Sequence, residues 1–468
     1  MRTVKSGGPQ TVVPTWDDPD IAAGAEGLGG PVGARAGFSR GFWSPLRVTI
    51  ALAVLGFVVG MISKYACSST GWADPSRYTH LCYSDIPPLF SLRGFADHVF
   101  PYISSPLPGQ EQLEYPVLTG MFMAVASWLT PSGDEAATWF FYVNALMLCV
   151  CLIVTVVATA MTVRRRPWDA AMVAVAPGMI LCATINWDLL AVALTSVALC
   201  LWARRHPLSA GIVLGLAAAA KFYPVMLLGP LLILCWRAAK MRAFLLCLAG
   251  FACAWLAVNV PFILINFDGW ARFYVYSSER GEDFGSIWLA LTNVGLHIDE
   301  AILNKLATGL FVLICIGVAL LGLRAKRRPR LAGLCFLVVA GFLITNKVYS
   351  PQYVLWLIPL AALARPRWRD FMIWQVGEVI YYTGIWWYLA GLSGGKGLPA
   401  GWYCVAVLIH IAATIYLGAV IVRDALRAEH DPIRNDRWPE DQDDPGGGVL
   451  DGAPDRNQRT VPTISAAL

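Results

Sequence analysis

Residues 117–129 read VLTGMFMAVASWL, and whether this run crosses a membrane decides how the rest of the chain is threaded. It is apolar enough to pass for a span. If it crossed, Arg164-Arg165-Arg166 and every later basic cluster would change sides. Cytoplasmic loops carry the excess of Lys and Arg. Five clusters, at 164–166, 204–206, 237–242, 324–330 and 365–369, share one side only if the run does not cross. At 13 residues it is also short; a spanning helix needs about 20. It reads as a re-entrant or interfacial helix that dips in and returns.

The composition requires a membrane. The chain has 468 residues, 57% hydrophobic and 14% charged, with mean hydropathy +0.56. A soluble protein of this length carries far more charge. The apolar runs are continuous rather than alternating, which excludes a β-barrel. The fold class is therefore an all-α polytopic membrane protein. Nineteen Trp and 16 Tyr suit the two interfacial belts. The net charge of +5 comes from short clusters between spans, so nothing points to nucleic acid.

Arg35, Arg40 and Arg47 put the N-terminus inside, after a polar, Gly- and Pro-rich segment, 1–44, that reads as a disordered cytoplasmic tail. The first apolar run has no cleavage motif at its end and is expected to remain as a helix. Spans are expected at 46–65, 138–163, 168–184, 188–203, a hairpin over 208–235, 243–265, 302–323, 331–345, 352–364, 371–391 and 402–422. That makes about twelve. The domain runs over 45–423, with outer loops at 66–137 and 266–301. Residues 424–468 are acidic, lack apolar periodicity and read as a disordered cytoplasmic tail.

With both termini cytoplasmic, the polar residues of the long loops gather on the outer face of a cell membrane, and a catalytic site is expected there. Ten of the 12 cysteines sit in apolar runs. Cys67 and Cys82 lie in the first outer loop, where they either pair as a disulfide or remain free thiols. No Cys/His spacing has the pattern of a zinc site.

Two elements carry a family resemblance. One is Tyr83-Ser84-Asp85-Ile86, followed by Pro101-Tyr102 and Glu114-Tyr115-Pro116, just after the first span. The other is Lys347-Val348-Tyr349-Ser350-Pro351-Gln352-Tyr353. With Lys221-Phe222-Tyr223-Pro224, they resemble the polyprenol-phosphate-dependent mannosyltransferases of glycosyltransferase family 87, in the wider GT-C class. The resemblance covers about residues 46–422. It implies a GT-C-like bundle that takes mannose or a related sugar from polyprenyl phosphate. It also implies transfer, with inversion, to a lipid- or polymer-linked envelope glycan, using an aspartate of the first outer loop as general base. Asp85 stands at that position, with Asp97 and Glu114 as rivals.

Chemistry supplies roles for the remaining residues. A sugar hydroxyl is a weak nucleophile, and a carboxylate within hydrogen-bond reach can take its proton as the new bond forms. The leaving phosphate gains charge that cations stabilise. Lys221, Arg280 and Lys347 are the candidates for that task. Tyr83, Arg93, Tyr115, Gln352 and Tyr353 are candidates for holding sugar or acceptor. Each has a plainer reading. An aspartate beside a helix is most often a cap or solvated, and a lysine at a hairpin tip can simply snorkel. Trp386-Trp387-Tyr388 reads as an interfacial belt. The acidic loop Glu279 to Asp283 could hold a divalent cation, so metal dependence stays open. The rival function is a lipid or sugar transporter, which would place its charges inside the bundle. A third is a non-catalytic scaffold with Asp85 as a cap.

Overall fold

A computed structural model describes residues 44–104, 106–435 and 443–457. Apart from Ser44, the tail expected over 1–44 lies outside the described residues. Among the described residues every regular element is helical. Five helices are long and apolar enough to cross a membrane: α1 (Pro45–Ser69), α4 (Ala136–Thr162), α8 (Met241–Ile265), α11 (Glu300–Arg324) and α15 (Ala400–Leu426). Between them come α2 (Ile86–Leu92), α3 (Val117–Trp128), α5 (Asp188–Ala203), α6 (Pro207–Ala220), α7 (Leu228–Arg237), α9 (Phe267–Glu279), α10 (Ile287–Asn293), α12 (Leu331–Thr345), α13 (Val354–Ala364) and α14 (Trp368–Leu392).

Local chemistry sets several of these ends. Ser44 accepts from the Arg47 amide ahead of Pro45, starting α1. Asp299 caps α11 through the Ala301 amide at 3.0 Å. Ser286 caps α10 through Leu289 N at 3.1 Å.

Of the roughly twelve expected spans, the five named above meet the length and composition of a crossing, and most of the other apolar runs form shorter or broken helices. The run at 168–184 is broken into Ala170–Ala174 and Pro177–Cys182, because Pro177 cannot continue the first piece. Both pieces are largely buried against protein, where freed backbone groups can find partners. α12, with 15 residues, and α13, with 11, are too short to span alone. α14 has 25 residues but carries Arg369, Asp370 and Glu378. The run at 117–129 forms the 12-residue α3, about 18 Å long at 1.5 Å per residue and so shorter than a hydrocarbon core. Its Thr119 hydroxyl donates to Ala220 O at 2.6 Å, tying it to the end of α6.

α6 and α8 pack closely because their contact is built from glycine. A Cβ on Gly211 would stand 1.9 Å from Cys247 O, and one on Gly250 would stand 2.4 Å from Leu208 O. Small residues at such crossings let helix backbones touch where apolar solvent offers no hydrophobic drive.

The acidic tail is not structureless where it is described. Asp431, Asp443, Asp444 and Asp455 dock on the basic helix ends. Arg237 forks onto Asp455 at 2.7 and 2.8 Å. Arg330 meets Asp431 at 2.7 Å, and Asp444 accepts from Leu331 N at 2.9 Å. Trp202 Nε1 donates to Gly447 O at 2.8 Å. Arg365 pairs with Asp370 at 2.6 Å and also with Asp424. Apolar periodicity could not reveal this segment, because ion pairs hold it together with only isolated buried apolar residues, Ile433 and Leu450.

Candidate active site

The chain places Asp85 by exclusion as well as by contact. Asp85 stands at the N-terminus of α2, the usual place for a capping carboxylate. The second and third helical residues are Pro87 and Pro88, which have no N–H to be capped, and the Asp85 side chain makes no capping bond. The carboxylate turns instead to Tyr83, whose hydroxyl donates to Oδ1 at 2.6 Å.

The backbone around Asp85 is pinned from several directions. Asp85 N donates to Ile185 O at 2.8 Å, and Ser84 Oγ donates to Thr184 O at 2.8 Å. Buried Lys64, from α1, donates to Tyr83 O at 2.7 Å. The Tyr83 ring stacks on Trp386 at 4.6 Å and on Tyr78 at 5.6 Å. Cys67 and Cys82 form a disulfide that closes the loop just before it. Burial pushes the Asp85 carboxyl up to about 6, against the Tyr83 hydrogen bond and the Lys221 charge, which favour ionisation.

Asp85 lines a cavity of about 670 Å³ where several stretches of chain meet. The first loop brings Tyr83, Asp85, Glu114 and Tyr115. The end of α6 brings Lys221. The segment after α9 brings Arg280, and the turn after α12 brings Lys347, Gln352 and Tyr353. These are turns that the charge pattern assigns to one face. At the other end of α12, Arg330 precedes Leu331 and pairs with Asp431 of the last segment.

The cations differ in how far they are already neutralised. Lys221 Nζ lies 2.6 Å from Oδ1 of buried Asp188, whose Oδ2 accepts from Trp356 Nε1 at 2.9 Å. Lys221 also sits 5.5 Å from the Tyr115 and Tyr353 ring centroids. Arg280 pairs with Asp283 across 2.6 Å. Lys347 donates to Ser278 O at 3.2 Å and to Arg280 O. Among the described residues no carboxylate forms a salt bridge with it. Burial pulls the Lys347 pKa below its ordinary value.

Two expected residues stand apart from the cavity. Asp97 is exposed and accepts from Gln110 Nε2 at 2.6 Å. Arg93 forks onto Glu114 at 2.6 and 2.9 Å and reaches Glu111 at 2.9 Å, so these two acids engage its guanidinium. Glu114 lines the cavity but is bound by that fork. Trp386, read as belt, is buried and lines the cavity, while Trp387 is exposed. Asp188 and Lys64 were absent from the expected site. A lone lysine near the end of an apolar helix was the available signal for Lys64.

In the acidic loop Asp283 is engaged by Arg280, and Glu282 accepts from Thr292 at 3.0 Å. Among the described residues no group of three or more His, Cys, Asp or Glu side chains is arranged to hold a metal ion.

Residues 113–345 match the model of glycosyltransferase family 87. The match takes in just under half of the chain. It contains Glu114, Tyr115, Asp188, Lys221 and Arg280, while Asp85 and the 347–353 turn flank it. Among solved structures, the chain is similar to ArnT from Cupriavidus metallidurans bound to undecaprenyl phosphate. The two are 15% identical with a TM-score of 0.43, over 81% of this chain and 77% of that one. For ArnT in the apo state the identity is 16% and the TM-score 0.39, over 75% and 72%. No curated protein matches the chain.

Proposed function

We propose that this multi-pass membrane protein is a glycosyltransferase of GT-C-like architecture that moves mannose or a related hexose from a polyprenyl-phosphate donor to a lipid- or polymer-linked envelope glycan. Asp85 is the general base. The observation that carries this reading is the uncapped carboxylate of Asp85 in a cavity that also receives Lys221, Arg280 and Lys347.

The step is a single displacement. The acceptor hydroxyl gives its proton to an Asp85 oxygen as its own oxygen bonds to the anomeric carbon. The bond from that carbon to the donor phosphate oxygen breaks, and the phosphate keeps the electron pair. The configuration inverts, and no covalent enzyme intermediate forms. The charge gained by the phosphate falls to the cations, with Lys347 foremost because its charge is the least compensated. Tyr83, Tyr115, Gln352 and Tyr353 line the space where sugar hydroxyls would lie. The disulfide in the first loop supports an oxidising, outer location for the cavity, with the arginine-rich ends and both termini cytoplasmic.

The test is transfer of labelled sugar from polyprenyl-phosphate-mannose to a lipid-linked glycan by the purified protein. Asp85→Asn is expected to lose at least about a hundredfold in kcat, the usual worth of a general base. Equal transfer by variant and wild type removes Asp85 from the role. Absence of transfer from any polyprenyl-phosphate sugar, with substrate flux in vesicles, favours the transporter.

A further inference from the structure

Deep among the helices lies an ionisable pair that the displacement does not use. Glu378 of α14 is 4% exposed and His410 of α15 is fully buried. Glu378 Oε1 accepts from Trp374 Nε1 at 3.0 Å and from Thr414 Oγ1 at 3.1 Å. Its Oε2 lies 3.5 Å from His410 Nδ1. The other ring nitrogen, Nε2, is 3.2 Å from Gly285 O. The ring stacks on Tyr381 at 4.1 Å and packs on Tyr349 at 4.4 Å.

These contacts fix the proton on one nitrogen. A carbonyl oxygen only accepts, so Nε2 must donate to Gly285 O. Nδ1 faces Glu378 Oε2 at the 3.5 Å ion-pair distance and makes no hydrogen bond of its own. Glu378 thus flanks one side of the His410 ring, and the other side of the ring holds Gly285.

Gly285 is the clasp of the cationic end of the cavity. Its amide donates to Tyr403 OH at 2.8 Å while its carbonyl is held by His410. It adopts φ +79°, and a Cβ there would stand 2.0 Å from Tyr349 O. On either side the segments pair through Asp283 N to Lys347 O at 2.9 Å and Tyr349 N to Phe284 O at 3.1 Å. Arg280 and Lys347 leave from this junction into the cavity.

We propose that Glu378 and His410 are positioning residues that seat the 280–285 segment on the 347–350 turn and so fix where Arg280 and Lys347 point. Only the consequence for donor binding rests on the proposed function.

The test compares His410→Leu and Glu378→Leu with His410→Gln and Glu378→Gln in the full-length purified protein. A glutamine amide at 410 can still donate to Gly285 O, and one at 378 can donate to Nδ1. Amide hydrogen exchange without substrate is read first. The leucine variants are expected to exchange faster at Asp283, Gly285 and Tyr349 alone, and the glutamine variants to recover slow exchange. Unchanged exchange at these amides, or faster exchange spread over the whole fold, overturns the proposal. The KM for polyprenyl-phosphate-mannose is read second. The leucine variants are expected to raise it about tenfold, the worth of roughly one hydrogen bond, with kcat within about twofold. Local exchange with an unchanged donor KM upholds the seating and overturns the assignment of this cavity end to the donor phosphate.

Discussion

At the scale of residues, the proposed base is an acid whose ionisation burial opposes. Ionisation of Asp85 is opposed by burial and favoured by the Tyr83 hydroxyl and the Lys221 charge, with the balance at about 6. A base must be ionised to act, so kcat/KM is expected to rise with pH through about 6 and level off above it. Tyr83→Phe removes a bond to the charged form. The limb should then move to higher pH, and a pH–rate profile of the variant that superposes on wild type sinks the Tyr83 contact. The same raised value carries a stability cost. Between the ordinary 3.8 and about 6 the folded state holds a proton that the unfolded chain releases, so stability falls as pH rises through that window. Asp85→Asn, inactive under the proposed mechanism, is therefore expected to melt higher than wild type at pH 8 and not below pH 4, as differential scanning fluorimetry in detergent would show. Asp85, Lys221 and Lys347 could be read from sequence because local motifs carry them. Asp188 and Lys64 could not: Asp188 gains its role only when Lys221 and Trp356 fold against it, and Lys64 acts through a carbonyl 19 residues away.

At the scale of elements, α2 shows how a helix start can be arranged to spare its cap. Pro87 and Pro88 fix backbone dihedrals suited to a first turn and withhold the amides that would capture Asp85. Pro88→Ala restores one amide in capping range. A carboxylate accepting from a backbone N–H ionises more readily, so the acid limb should move below about 6, opposite in sign to Tyr83→Phe, and transfer at neutral pH should fall. Unchanged transfer would mean that the prolines serve the helix alone. The apolar runs and most of their ends were legible because hydropathy and charge are local properties. The lengths that matter were not. Pro177 splits one run, and α12 and α13 stop short because they are enclosed by protein, so lipid thickness does not set their length.

At the scale of the molecule, two ends of one bundle are built from opposite uses of charge. At the cavity end Lys347 has carbonyls rather than a salt-bridged carboxylate as its bonding partners, so part of the cationic charge remains for an anion. At the other end the arginines that set the threading are neutralised by aspartates from the last segment, and both partners are buried. That segment looked structureless because a strap held by ion pairs needs no apolar period, only carboxylates spaced to meet guanidinium groups already fixed by the helices. Breaking one such pair leaves an uncompensated buried charge, costing about 3–5 kcal/mol, whereas replacing both partners by apolar groups of similar volume is close to neutral. Asp455→Leu alone strands Arg237, whose side chain is 1% exposed. It is expected to lower the melting temperature, and Arg237→Met together with Asp455→Leu to recover most of the loss. Arg237 also donates to Gly322 O at 2.8 Å and Ala325 O at 2.7 Å, so the double variant loses those bonds and recovery should stop short of wild type. A double-variant cycle in detergent reads the coupling directly. Additive losses would mean that the strap only rests on the helix ends, and strong coupling means that it ties α7 to the end of α11.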